Sequence, residues 1–116
     1  MEAWLAVPNN LIKVLVVHGK IYGYCRYRLC RRYVKITDLI VVPAQRRKGN
    51  GLRLVKHVKS LLRSLRRRIV AVEVPTERTY LPAQLLFKRA GFLCFRTLFK
   101  GQPLERYVLK YTLRDM

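Results

Sequence analysis

The chain has 116 residues, with 25 Lys and Arg against six acids and a formal net charge of +19. That length supplies one domain with one hydrophobic core, spanning 1–116, and is too short for two. No apolar run approaches the roughly 20 residues a membrane-spanning helix needs. So large an excess of cations exceeds what solubility demands, which implies an anionic partner and disfavours small cationic substrates.

The N-terminus, MEAWLAVPNN, places an acid at position 2 and no basic leader, which argues against a secretory signal. Leu11 to Val17 reads as a strand and His18-Gly19-Lys20 as a tight turn. Ile21 to Leu29 alternates, with Ile21, Gly23, Cys25, Tyr27 and Leu29 on one side and Tyr22, Tyr24, Arg26 and Arg28 on the other, and a period of two predicts a strand. After a turn at Cys30-Arg31-Arg32, Tyr33 to Val42 returns as a third strand, completing an antiparallel meander.

From Asn50 the period changes to 3.6, with Leu54, Val55, Val58, Leu61, Leu62 and Leu65 in one stripe. Arg53, Lys56, His57, Lys59, Arg63, Arg66 and Arg67 cover the rest and predict a solvated basic face. Ile69 to Val74 is a short apolar strand, so the preceding strand, helix and this strand form a crossover with a parallel pair. Thr79 is the expected N-cap of a second helix, with Pro82 in its first turn and Gly91 as its C′ residue. Phe92 to Phe99 and Arg106 to Leu113 alternate as two final strands, with Gly101-Gln102-Pro103 between them. The order is β-β-β-α-β-α-β-β, an α/β (α+β) domain with a mixed central sheet.

The segment DLIVVPAQRRKGNGLRLVKHVKSLL, Asp38 to Leu62, concentrates the chemistry. Leu39 to Val42 reads as a buried strand that Pro43 stops by removing an N–H. Gly49 and Gly51 leave positions without side chains, so backbone amides and a helix N-terminus face one concavity. A pyrophosphate would be held there, with Arg46 and Arg47 adding charge-assisted hydrogen bonds. The Walker and dinucleotide patterns are both absent.

VVPAQRRKGNG resembles the acetyl-CoA-binding motif of the GNAT superfamily of N-acetyltransferases, Val-x-Pro-x-x-Arg-x-x-Gly-x-Gly. AQLLFKRAGF, Ala83 to Phe92, resembles that family's Ala-x-x-Leu-Tyr-x-x-x-Gly-Phe ending, and the resemblance covers roughly residues 11 to 115. It implies a short GNAT-like domain lacking the usual N-terminal strand and two helices, so that the acceptor groove is open or completed by a second subunit of a homodimer or by the substrate. It also implies direct acetyl transfer from acetyl-CoA, the co-substrate, to an amine through a tetrahedral intermediate. Backbone groups of Leu39, Ile40 and Val41 would pair with the pantetheine arm, while Arg46, Arg47, Lys48, Gly49, Asn50 and Gly51 would hold the pyrophosphate. Lys48 and Asn50 have alternative readings as a solvated lysine and a turn former.

Glu73, near the end of the strand before Pro75, resembles the catalytic base of the branch that acetylates N-termini of ribosomal proteins; its alternative is a carboxylate paired with an arginine. Phe87 stands where many members carry a Tyr that protonates the leaving thiolate, leaving Tyr80, Tyr22 and Tyr24 as candidate acids. Cys25, Cys30 and Cys94 have unrelated spacings and no His cluster, which excludes a disulfide framework and predicts no metal. Cys25 and Cys94 fall on expected interior faces without a neighbouring base, so neither reads as a nucleophile. Reduced thiols indicate a cytoplasmic protein.

His18 and His57 read as surface residues. The acceptor would be an acidic macromolecule or a nucleic-acid complex. The alternative is a non-catalytic module binding RNA or DNA through Arg26, Arg28, Arg31, Arg32, Arg63, Arg66, Arg67 and Arg68, and a third reading makes the charge a generic solubilising surface.

Overall fold

The computed structural model describes residues 10–98 and 105–114. Strands β1 (Asn10–Val17) and β2 (Lys20–Leu29) are joined by His18 and Gly19 at φ 50° and 76°. Two consecutive left-handed residues match a hairpin turn to the right-handed twist of its strands. A turn closed by the Cys30 N–H on the Tyr33 carbonyl, 2.9 Å, leads into β3 (Val34–Val41). Helix α1 (Asn50–Ser60), β4 (Ile69–Pro75), α2 (Leu81–Arg89), β5 (Leu93–Leu98) and β6 (Arg106–Thr112) follow, in the expected order. The sheet runs β1-β2-β3-β4-β6-β5; β3 and β4 are parallel and every other pair is antiparallel. Phe99 and the Gly101-Gln102-Pro103 link lie outside the described residues.

Both helices cover one face of the sheet. Leu54, Val55, Val58 and Leu62 pack with Cys25, Tyr27, Val34, Ile36, Val70, Val72 and Val74, and Phe87, Ala90 and Phe92 close the same core. Phe87 and Phe92 meet edge to face at 5.2 Å, which adds to the area they bury. The apolar stripe extends past Ser60, where the chain tightens and ends at Arg66 in the left-handed region, φ 56°. There the N–H groups of Arg67 and Arg66 donate to the Leu62 and Arg63 carbonyls at 3.0 Å each. Gly91, φ 90°, ends α2 in the same way, as expected, with Phe92 and Gly91 N–H on the Phe87 and Lys88 carbonyls.

Three local expectations are corrected. Thr79 caps nothing: a short 3-10 turn, Arg78–Tyr80, precedes α2, whose first turn has no side-chain cap. Lys59 does not belong to the solvated face, because its Nζ donates to the Ala90 carbonyl at 2.5 Å and lies 3.9 Å from the Tyr111 ring centroid. It thereby satisfies a carbonyl at the C-terminal end of α2, and burial lowers its pKa, with Lys56 adding to the effect. Cys94 is exposed rather than interior, since β5 is an edge strand and the sheet register shifts between Cys94 and Arg96.

Candidate active site

β3 changes character halfway along. It pairs with β4 only through Val34 with Val70 and Lys35 with Ala71, after which the two parallel strands diverge. On its other edge β3 stays paired with β2, but the register shifts where Arg26 faces Asp38 and Tyr27 faces Ile36, leaving Thr37 as an extra residue. This bulge reverses the side-chain parity. Val34 and Ile36 point into the core before it, and Leu39 and Val41 pack against the core after it. Leu39 to Val42 is therefore not the fully buried run its composition suggests; Ile40 is 43% exposed, because the neighbouring strand has moved away.

The divergence opens a cleft of about 960 Å³, lined by Ile36 to Val41 on one side, Val72 to Pro75 on the other, and the loop into α1. Leu39, Ile40, Val41, Arg46, Arg47, Gly49, Asn50, Gly51, Glu73, Tyr80 and Phe87 all line it. Lys48 does not and is exposed, in line with its reading as a solvated lysine. Tyr22 and Tyr24 also lie outside the lining; Tyr24 sits between Val14 and Ile40 in the sheet register.

The loop is built to present amides. Arg47, φ 61°, and Gly49, φ 81°, both adopt the left-handed region, and Gly49 is the N-cap of α1 without a side-chain cap. Between Arg46, whose N–H donates to the Pro43 carbonyl, and Arg53, whose N–H donates to Gly49, no backbone N–H has a carbonyl partner among the described residues. These open donors, with the positive end of α1 behind them, form an anion cradle. Asn50 is 5% exposed and its Nδ2 donates to the Gln45 carbonyl at 2.8 Å, so its side chain closes the loop, the turn-forming role. Arg46 Nε donates to the Val41 carbonyl at 2.9 Å, anchoring its guanidinium at the mouth of the cleft.

The two glycines act differently. A Cβ on Gly49 would meet nothing within 4 Å, so that position is fixed by its φ. A Cβ on Gly51 would come within 2.7 Å of Leu86 Cδ1; this glycine lets α1 approach α2 and is as much a packing residue as a ligand residue.

Glu73 is held on both oxygens: Lys35 Nζ lies 3.2 Å from Oε2 and Arg106 Nη1 lies 2.8 Å from Oε1. Its side chain is 24% exposed, leaving it within reach of water. Tyr80 is the tyrosine of the cleft lining, whereas Phe87 is buried and brings no hydroxyl. Gln84 takes a role that its sequence neighbourhood does not announce. It is 8% exposed, and its Nε2 donates to the Pro75 carbonyl at 2.7 Å and the Glu77 carbonyl at 3.3 Å, tying α2 to the end of β4. Its one trace there is that of a lone polar residue near the start of an apolar helix pattern.

Asp38 also lines the cleft but is paired with Arg26. Burial, with the Asp38 carboxylate adding to it, pushes the Cys25 thiol up to about 12, which removes it as a nucleophile at neutral pH. Among the described residues no cluster of metal-ligating side chains occurs, and no helix is long and apolar enough to cross a membrane.

The cleft suits an extended acyl-CoA. A strand edge from Ile36 to Val41 without a sheet partner on the cleft side offers hydrogen bonds to a pantetheine amide chain, and the open amides with Arg46 and Arg47 suit a pyrophosphate. Known structures share the fold. The ribosomal-protein-S18-alanine N-acetyltransferase from Escherichia coli superposes with a TM-score of 0.81 at 16% identity, over 99% of this chain and 76% of that one. Arabidopsis thaliana NAA60 in complex with acetyl-CoA gives 0.68 at 24% identity, over 81% and 67%. An aminoglycoside 6'-N-acetyltransferase complexed with coenzyme A gives 0.79 at 13% identity, over 99% and 78%. No curated protein matches the chain. Residues 1–92 match the acetyltransferase (GNAT) family, so the chain belongs to that family of acetyltransferases and acetyl-CoA is its co-substrate.

Proposed function

We propose that the protein transfers an acetyl group from acetyl-CoA to an amine on a protein or a nucleic-acid-associated macromolecule. The observation that carries this reading is the union, in one cleft, of an unpartnered β3 edge, the amide cradle at Arg46–Gly51 and the carboxylate of Glu73. Bound acetyl-CoA supplies the thioester that the amine attacks.

The chain's own groups do the rest. Leu39 to Val41 align the co-substrate along β3, and the cradle fixes its phosphate end. Glu73 accepts the proton of the incoming amine through water, which reaches its partly exposed carboxylate. Lys35 and Arg106 hold that carboxylate in place, and Tyr80 is the candidate donor to the leaving thiolate. The S18-alanine enzyme of like fold, which by name acts on a protein alanine, supports an N-terminal amine as acceptor.

A second reading is a GNAT-like module that binds without catalysis. Two observations favour it: Phe87 lacks the hydroxyl, and both carboxylate oxygens of Glu73 are already engaged by Lys35 and Arg106. Calorimetry with acetyl-CoA followed by an acetylation screen on basic and acidic peptides, ribosomal proteins and RNA-bound peptides separates the two. Turnover on any amine supports the enzyme; saturable acetyl-CoA binding with no turnover supports the module.

A further inference from the structure

The end of the sheet opposite the cleft gathers arginines. There the β2–β3 turn, the segment after α1, the start of β4 and the end of β6 meet, since Leu29 pairs with Val34, Val34 with Val70 and Ile69 with Thr112. Arg67 spends its guanidinium inward: Nε donates to the Cys30 carbonyl at 2.8 Å and Nη1 to the Leu65 carbonyl at 3.0 Å. It thus fixes the turn bearing Arg31 and Arg32 against the segment bearing Arg63 and Arg66. Arg68 Nη2 donates to the Leu113 carbonyl at 3.2 Å, which holds the end of β6 and the adjoining Arg114 to the same pole.

Arg31, Arg32, Arg63 and Arg66 are exposed and make no ion pair among the described residues. Of the described acids, Asp38 and Glu73 are already paired, and Glu77 and Glu105 lie beyond the other end of β4. Among the described residues these like charges have no counter-charge at the pole and repel one another, a repulsion that an external anion would relieve.

We infer that this arginine pole docks the phosphodiester backbone of a nucleic acid. The inference rests on the proposed acetyltransferase reading and names what carries the acceptor amine. Arginine presents a planar fork matched to phosphate oxygens. A protein partner would call for a large apolar anchor among the arginines, and among the described residues Tyr33 is the exposed large hydrophobic side chain beside Arg31 and Arg32, whereas Leu93 lies further out on the edge strand, paired with Lys110. One tyrosine beside several arginines suits a base stacking next to bound phosphates. Helix α1, 11 residues and so about 16 Å long, separates the pole from the cradle, and both anions can be bound at once.

The test is fluorescence anisotropy with labelled 20-nucleotide RNA and DNA, single- and double-stranded, from 50 to 300 mM KCl. The wild type should bind with a steep salt dependence, about 0.7 to 0.9 in log-log slope per phosphate neutralised. The variant Arg31→Gln/Arg32→Gln/Arg63→Gln/Arg66→Gln should bind at least about 30-fold more weakly at 50 mM and lose about 3 from that slope. A control of equal charge change, Lys13→Gln/Lys20→Gln/Lys88→Gln/Arg96→Gln, should lose far less.

Equal losses in both variants, no affinity at 50 mM, or polyglutamate competing as well as RNA would each overturn the inference. The RNA and DNA arms decide which nucleic acid is preferred. Acetyl-CoA affinity is measured on the same proteins: its absence from the wild type counts against the acetyltransferase reading alone, whereas its retention in the arginine variant shows that the loss is local to the pole.

Discussion

The two halves of β3 differ in what they do with their backbone. At Val34 and Lys35 the strand is bonded on both edges and its inward side chain is fully buried, so that half contributes stability. From Ile36 to Val41 it keeps β2 and loses β4, exposing part of an apolar strand and leaving one edge for a ligand. One bulge at Thr37 marks where β3 changes parity and leaves β4. The ends of the molecule follow suit. Arg67 and Arg68 close backbone carbonyls at the paired end; at the divergent end Arg46 closes that of Val41, but the backbone amides of the loop into α1 stay open.

The sharpest way to break this contrast is through the glycines. Gly51→Glu makes the tip of the Leu86 side chain give way where α1 meets α2 and puts a negative charge in the cleft, so it should lower the melting temperature and abolish acetyl-CoA affinity in calorimetry. Gly49→Glu meets open space and costs only the left-handed strain, about 1–2 kcal/mol. That variant should stay folded yet lose acetyl-CoA affinity in calorimetry; unchanged affinity would remove the cradle assignment.

Next in size is Glu73→Gln, which should lower the maximal rate at least about 100-fold near neutral pH and leave acetyl-CoA affinity nearly intact. A normal rate, with a lowered melting temperature, would make the Lys35–Glu73–Arg106 triad purely structural.

Arg46→Ala removes one charge-assisted contact and should cost roughly 1.5–3 kcal/mol of acetyl-CoA binding, with only a small fall in melting temperature because its bond to the Val41 carbonyl is exposed and water replaces it. Its counterpart at the paired end, Arg67→Ala, should do the reverse. It leaves the Cys30 and Leu65 carbonyls unmet, costs about 1–2 kcal/mol of stability in denaturant titrations, and leaves co-substrate affinity unchanged. If the two variants show the same phenotype, the division of labour between the ends is wrong.

The remaining effect is absent at neutral pH and emerges only in alkali. The folded Cys25 thiol lies above its usual value of 9.0, so the stability it contributes is fully present below pH 9 and is lost as pH rises toward about 12. Tyr27, raised by burial and by Cys25, acts in the same direction. Cys25→Ala should flatten the alkaline decline by about 1.4 kcal/mol per pH unit above 9; an unchanged slope would show that the thiol does not titrate on unfolding.

Local pattern determined a great deal. The periods of two and 3.6, Gly91 as a C′ residue and the turn at His18-Gly19 all follow from contacts within a few residues, and the element order follows from them. The cradle was legible for the same reason, since VVPAQRRKGNG is contiguous and its glycine at Gly49 sits at a backbone angle that depends on its immediate neighbours. What the sequence could not show were relations between segments distant along the chain. Glu73 gains Lys35 and Arg106, Gly51 meets Leu86, Lys59 reaches Ala90, Gln84 closes on Pro75, and Arg67 is drawn inward to Cys30. Each of these fixes whether a side chain is a ligand group, a packing element or a clamp. Hydrophobic periodicity dictates which face of an element is buried, but the partner it is buried against, and hence the role of a polar residue at the margin, exists only once the strands have paired and diverged.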